Sequence, residues 1–252
     1  MSAAVIHPLA DMVDAFAVHT TLDVEDRAAL LGLPYSVRTF EPGSYLVREG
    51  DTSDQCRVML KGFAVRHKIN GEGLRQIVSI HTHGDLLGLH HMFIDTADHN
   101  IQTLTQCDIA TVSTKALRDL VLRCPTVGTA LFTYTLLEAS RYRESMLNVG
   151  RRDARTRVAH LFCEIAVRLD APGLPPGQGY ELPMTQEDLG DAVGLTPVHV
   201  NRTLRALVED GLIVRDKRFL KFPDWDRLIK AADFNCRYLH MPHPTRPSDR
   251  IG

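Results

Sequence analysis

Apolar and polar positions follow two different rhythms along this chain. Residues 9–33 read as a short helical segment ending near Gly32, Leu33 and Pro34. From 35 to 113 short β-prone runs take over: Tyr35–Phe40, Tyr45–Arg48, Cys56–Lys68, Leu74–His81, Asn100–Thr105 and Ile109–Val112. Turn residues separate them at Glu41 to Gly43, Glu49 to Asp51, Asn70 to Gly73 and His83 to Asp85. Asn70-Gly71 predicts a hairpin, because a type I′ turn needs positive φ. Several short strands so closely spaced predict a sandwich or barrel.

Helical spacing then returns. Ser113 or Thr114 caps a predicted helix over Lys115–Arg123, closed by Pro125. A long helix is predicted over about 126 to 149. Its stripe of Val127, Leu131, Tyr134 and Leu137 weakens through Glu138–Glu144 and resumes at Met146 and Val149. A stripe this narrow fits a two-helix seam, and Thr133, Glu138, Arg141 and Arg143 on the other side read as solvated; the alternative is a helix packed on its own domain. An amphipathic helix over 151–169 buries Val158, Leu161, Phe162, Ile165 and Leu169. Residues 170–179 are a loop on composition.

The stretch Thr185–Ile213 carries the strongest local signal. Thr185 with Asp188 opens a short helix as a capping box, whose inner face is Leu189 and Val193. Gly194 supplies the positive φ of a tight turn, and Leu195 plugs the angle between two helices. Thr196 caps the second helix, with Pro197 at the first position. Val200, Leu204 and Leu207 face inward, leaving Val198, His199, Arg202 and Arg205 outward with Asn201 beside them. This is a helix-turn-helix, whose second helix (196–209) enters a major groove. Gly211 ends it. Leu212–Arg215 and Phe219–Phe222 read as the strands of a wing around Asp216, Lys217 and Arg218.

Composition sharpens this picture. The chain has 252 residues, 44% hydrophobic and 24% charged, with net charge -2. It is not basic overall, so nucleic-acid contact must come from a local patch. Residues 199–221 supply one: Arg202, Arg205, Arg215, Lys217, Arg218 and Lys221 face only Glu209, Asp210 and Asp216. Phosphate contacts of this kind give affinity and base contacts specificity. The five scattered cysteines, with no CxxC pair, argue against a disulfide framework or a thiolate metal site and for buried thiols in a reducing compartment. No apolar run approaches the roughly 18 residues that span a membrane. The opening residues do not read as a signal peptide, so the expected location is the cytoplasm. No Ser/His/Asp set, phosphate-cradling loop or HExxH motif supports an enzyme, and Asp85, Asp95 and Asp98 read as turn residues.

The residues Phe40 to Gly43, Val47 to Asp51, Met59 to Gly62 and Gly84-Asp85-Leu86-Leu87-Gly88, together with the helix-turn-helix, resemble the Crp/Fnr superfamily of bacterial transcription regulators from about residue 20 to 230. The tail from Pro223 resembles a branch with an extra C-terminal helix, common in alphaproteobacteria. The resemblance implies an α+β chain of three parts. These are a double-stranded, jelly-roll-like β-roll sensor (1–125), a dimerisation helix (126–150) with Val127, Leu131, Tyr134 and Leu137 in the seam, and a winged helix-turn-helix (151–252). It implies a homodimer on a palindromic double-stranded DNA operator, with RNA polymerase as a further partner. Thr196, Val198, His199, Asn201, Arg202, Arg205, Lys217 and Arg218 would contact DNA, with Arg202 on guanine.

An effector pocket would lie at Gly84, Asp85, Gly88, Leu89, His90, His99 and Asn100. Members that bind cyclic AMP carry a Glu where Leu89 stands and an Arg-Ser pair where His99 and Asn100 stand. Leucine accepts no hydrogen bond, and neutral histidine is a poor substitute for a bidentate arginine. Tight cyclic-AMP binding is therefore not expected. The cysteine cluster of the iron–sulfur branch is absent, and no cofactor is expected. Val198 stands where an acidic residue often reads cytosine. His81, His83, His90, His91 and His99 fall within 19 residues. They read as a polar surface cluster around a degenerate pocket, with a metal or haem site as the sharper alternative. A cyclic-nucleotide or small-ligand binding module whose helix-turn-helix is only structural is the competing reading of the whole chain.

Overall fold

The structure, a computed structural model, describes residues 7–169 and 179–241. It divides into two compact units, 1–138 and 139–252.

The first unit opens with two helices, α1 (Ala10–Ala17) and α2 (Val24–Leu31), where the pattern predicts one segment. The break lies at Asp23, whose side chain accepts from the Asp26 amide (2.7 Å) in a capping box that starts a new helix. Eight strands follow: β1 (Tyr35–Phe40), β2 (Tyr45–Val47), β3 (Gln55–Lys61), β4 (Ala64–Ile69), β5 (Arg75–His81), β6 (Leu86–Leu87), β7 (Asn100–Thr103) and β8 (Cys107–Ser113). They form two antiparallel sheets, β1-β8-β3-β6 and β2-β7-β4-β5, the two-sheet arrangement of a β-roll. The run predicted over Cys56–Lys68 is two strands, broken by a bend at Gly62-Phe63. β4 and β5 do form a hairpin, but over the five residues Asn70 to Leu74. Positive φ falls on Gly73 (80°) instead of Gly71, and the Asn70 side chain accepts from the Glu72 and Leu74 amides.

Side chains alternate across the first sheet, as the period of two demands. Met59, Cys107 and Ile109 face the second sheet, packing with Leu46, Val47 and Ile101. Cys56, Val58, Ala110 and Val112 face α1, α2, α3 (Thr114–Arg123) and the first half of α4 (Pro125–Arg151). This second layer corrects the seam assignment. Val127, Leu131 and Tyr134 are buried in their own unit's core, and the Tyr134 hydroxyl donates to the Leu86 carbonyl (3.3 Å) and accepts from its amide (3.1 Å). Leu137 is half-buried. Each fully buried apolar side chain stabilises by about 1.5–3 kcal/mol, and a sheet already beside the helix satisfies the stripe without a partner. Glu138 and Arg141, read as solvated, are half-buried. The exposed apolar residues of α4 lie on the opposite side: Phe132 (65%), Leu136 (52%) and Met146 (76%), with Leu147 beside them.

The second unit contains the rest of α4, α5 (Ala154–Arg168), a three-stranded sheet, α6 (Gln186–Val193), α7 (Pro197–Glu209) and α8 (Trp225–Ala231). The sheet strands are β9 (Gly179–Glu181), β10 (Val214–Asp216) and β11 (Phe219–Lys221), in the order β10-β11-β9. β9 has no counterpart in the predicted elements; the loop read at 170–179 lies outside the described residues except for Gly179. Val158, Phe162, Leu189, Val193, Val200, Leu204, Leu207, Leu220 and Phe222 are all buried.

Candidate nucleic-acid interface

The two helices of the turn are set by backbone fit. Thr185 and Asp188 exchange hydrogen bonds at the start of α6 (Thr185 amide to Asp188 Oδ2, 2.9 Å; Asp188 amide to Thr185 Oγ1, 3.1 Å). Gly194 takes the left-handed conformation at its end (φ 68°). Gly190 matters as much: a Cβ there would lie 2.4 Å from the Leu195 carbonyl oxygen, so only glycine lets the turn fold back on α6. The Thr196 hydroxyl accepts from the His199 amide (3.3 Å), and Pro197 holds the first position of α7.

The far end of α7 is anchored. Arg227 of α8 donates to the Asp210 carbonyl (3.1 Å), and Arg155 of α5 pairs with the Asp210 carboxylate. Arg157 donates to the Val193 carbonyl at the end of α6 (3.2 Å). The C-terminal segment joins the same scaffold: Arg152 pairs with Asp233 (3.2 Å), and Tyr238 donates to Glu164 (2.8 Å). The N-terminal turns of α7 are left clear, with Val198 81% exposed.

Thr196, Val198, Arg202 and Arg205 are exposed, while Val200, Leu204 and Leu207 on the opposite side are buried. Residues three and four apart share a helix face, which sets Val198, Arg202 and Arg205 in one row. His199 and Asn201 flank it half-buried, and Asn201 Nδ2 donates to Gln186 Oε1 (3.3 Å). A cleft of about 270 Å³ between α7 and β10 is lined by Asn201, Leu204, Arg205, Val208, Glu209 and Arg215. Lys217 and Arg218 form the exposed tip of the β10–β11 hairpin. Lys217 has φ 53°, a region that costs a non-glycine residue about 1–2 kcal/mol. The wing therefore holds a lysine where glycine would fit with less strain. The Arg218 carbonyl accepts from the Leu182 amide (2.8 Å), pinning the tip to the strand side. Gln186 and Gly190 are missed by the pattern of the turn alone, because their parts depend on which element folds opposite them.

Several of the predicted effector-pocket residues are engaged in local structure. Gly84 and Gly88 are turn residues on either side of β6. The Asp85 carboxylate accepts from the Thr82 amide (2.9 Å), Asn100 Oδ1 accepts from the Glu49 amide (3.1 Å), and Leu89 packs on the helical layer. His90 and His99 come together edge to face, with ring centroids 4.7 Å apart, and the His91 ring lies tilted against His90 at 4.0 Å. His81, His91 and His99 are buried, so the cluster is interior, not the surface group expected; His83 is exposed. Burial holds the His90 imidazole down to about 4, aided by the like charges of His91 and His99. Burial likewise lowers His81, His91 and His99. Arg66 of β4, missed by the sequence pattern, pairs with Glu138 of α4 at 3.3 Å, both side chains largely buried. Among the described residues no group of three His, Cys, Asp or Glu is arranged to hold a metal ion. No helix among them is long and apolar enough to cross a membrane.

Comparison with known proteins fits both units. Residues 156–231 match the Crp-like helix-turn-helix domain, and residues 37–124 the cyclic nucleotide-binding domain. The chain is 30% identical over 220 residues to the transcriptional activator protein FnrL of Cereibacter sphaeroides, covering 86% of this chain and 88% of that protein. It is 27% identical over 188 residues to the nitrogen fixation regulation protein FixK of Rhizobium meliloti, covering 73% and 82%. The solved structure of FixK2 from Bradyrhizobium japonicum shares the fold with a TM-score of 0.73 at 24% identity, over 79% of this chain and 98% of that one.

Proposed function

The chain belongs to the Crp/Fnr family of transcription regulators, and from that premise we propose that it binds a palindromic operator as a homodimer, reading bases with α7 and holding phosphates with the wing. The observation that carries this is the exposed row of Val198, Arg202 and Arg205 on a helix whose other face is buried, beside a basic hairpin tip. A scaffold-only helix pair has no use for a clear arginine row.

Roles follow from chemistry. Arg202 is the main base reader, on guanine O6 and N7, the commonest base-specific pairing. His199, Asn201 and Arg205 support it, and Thr196 lies at the helix terminus beside the backbone. Lys217 and Arg218 hold phosphates. The dimer seam is the exposed side of α4, through Phe132, Leu136 and Met146, in place of the buried stripe. Function thus divides into a sensor (1–125), a dimerisation helix (126–150) and a reader (151–252), in the cytoplasm and without enzymatic activity. Both relatives are named as regulators, FnrL as an activator, which supports control of transcription with RNA polymerase as a partner. Leu89, half-buried against the helical layer, and imidazoles whose charged form is disfavoured by burial support a sensor that does not take cyclic AMP tightly.

The test is a mobility shift of genomic fragments across a salt series. A preferred fragment should emerge, with affinity falling steeply as salt rises. Equal, shallow binding to every fragment contradicts the proposal.

A further inference from the structure

Resting on the groove-reading role of α7, we infer that Val198 selects a thymine by its C5 methyl group, within two base pairs of the guanine read by Arg202. Three observations carry this. Val198 is 81% exposed at the second position of α7, a cost in exposed apolar surface that nothing within the unit offsets. It stands one helical turn before Arg202, about 6 Å along the axis, or roughly two base-pair steps. The anchors on Asp210 hold the other end of the helix and leave this end as the part that meets base edges.

Valine has no donor or acceptor. Against guanine, adenine or cytosine it would cover major-groove hydrogen-bonding groups without replacing their water, an unfavourable exchange. Thymine alone presents an apolar group in the major groove, the C5 methyl. Valine therefore both attracts thymine and disfavours the other bases, and selection comes from the difference.

The experiment starts from the site that the full-length protein enriches from random duplexes. Each thymine near the Arg202-dependent guanine is replaced in one half-site by deoxyuridine, which lacks only the methyl. At one thymine the replacement should weaken wild-type binding about fourfold, the worth of one buried methyl-sized group. Val198→Ala, at an exposed position where folding is not at stake, should bind both duplexes equally. Cytosine at that position should be rescued in part by 5-methylcytosine, again only in wild type. No deoxyuridine effect in wild type, or the same effect in Val198→Ala, overturns the inference while leaving specific DNA binding intact. Enrichment of no sequence at all overturns the groove-reading role itself and this inference with it.

Discussion

The candidate sites of the two units hold their polar residues in opposite ways. On α7 and the wing, charged side chains stand exposed, and the face of α7 beneath them buries Val200, Leu204 and Leu207 with Thr203. In the first unit, a group of polar residues lies inside. His81, His91 and His99 are buried, and Arg66 and Glu138 form an ion pair between a strand and the long helix. Exposed groups cost the fold little and remain available to a partner. Buried ones are constrained by every neighbour, so they weigh on stability first. Changes in the sensor should therefore move stability, and changes in the reader should move DNA affinity at constant stability.

The largest expected effect is on the buried pair. Glu138→Ala removes the carboxylate from the buried Arg66–Glu138 pair, and breaking such a pair costs about 3–5 kcal/mol. The check is the urea midpoint, which should fall sharply; an unchanged midpoint would show the pair to be idle. Next comes Arg202→Ala, which should cost about 1–3 kcal/mol of binding and relax preference at one base, with an unchanged melting temperature. Lys217→Ala should weaken all sequences alike and lower the salt slope by about one. Lys217→Gly separates the two currents of the comparison within one residue: it should lose the same affinity yet gain up to about 1 kcal/mol of stability by relieving the left-handed backbone.

The pH dependence follows from the histidines. Their folded values lie below the ordinary 6.5, so the folded state binds fewer protons than the unfolded one. Stability should be full above about 6.5 and fall as pH drops towards the value of about 4 for His90. Denaturation midpoints between pH 7 and 4 check this, and His90→Gln should flatten the slope. A slope of opposite sign would mean that the imidazoles are charged in the folded state.

The reader was legible in the sequence because its logic is local. Capping at Thr185 and Thr196, the turn at Gly194 and the outward arginines all follow from spacing within one stretch. The sensor was legible as a set of strands and illegible as a site. His90 and His99 meet only because β7 returns beside the turn that follows β6, and Arg66 finds Glu138 across 72 residues of chain. The stripe of Val127, Leu131 and Tyr134 misled for the same reason: its period was right, but which surface covers it is a tertiary fact. The strand β9 escaped because three residues carry no period of their own.

With α7 in the major groove, Arg202 lies on a guanine. Replacing that guanine by 7-deazaguanine removes only the N7 acceptor on the major-groove edge. Wild-type affinity should fall several-fold and that of Arg202→Ala should not change. Wild-type binding indifferent to the replacement at every guanine of the preferred site, or an equal loss in both proteins, would contradict this placement.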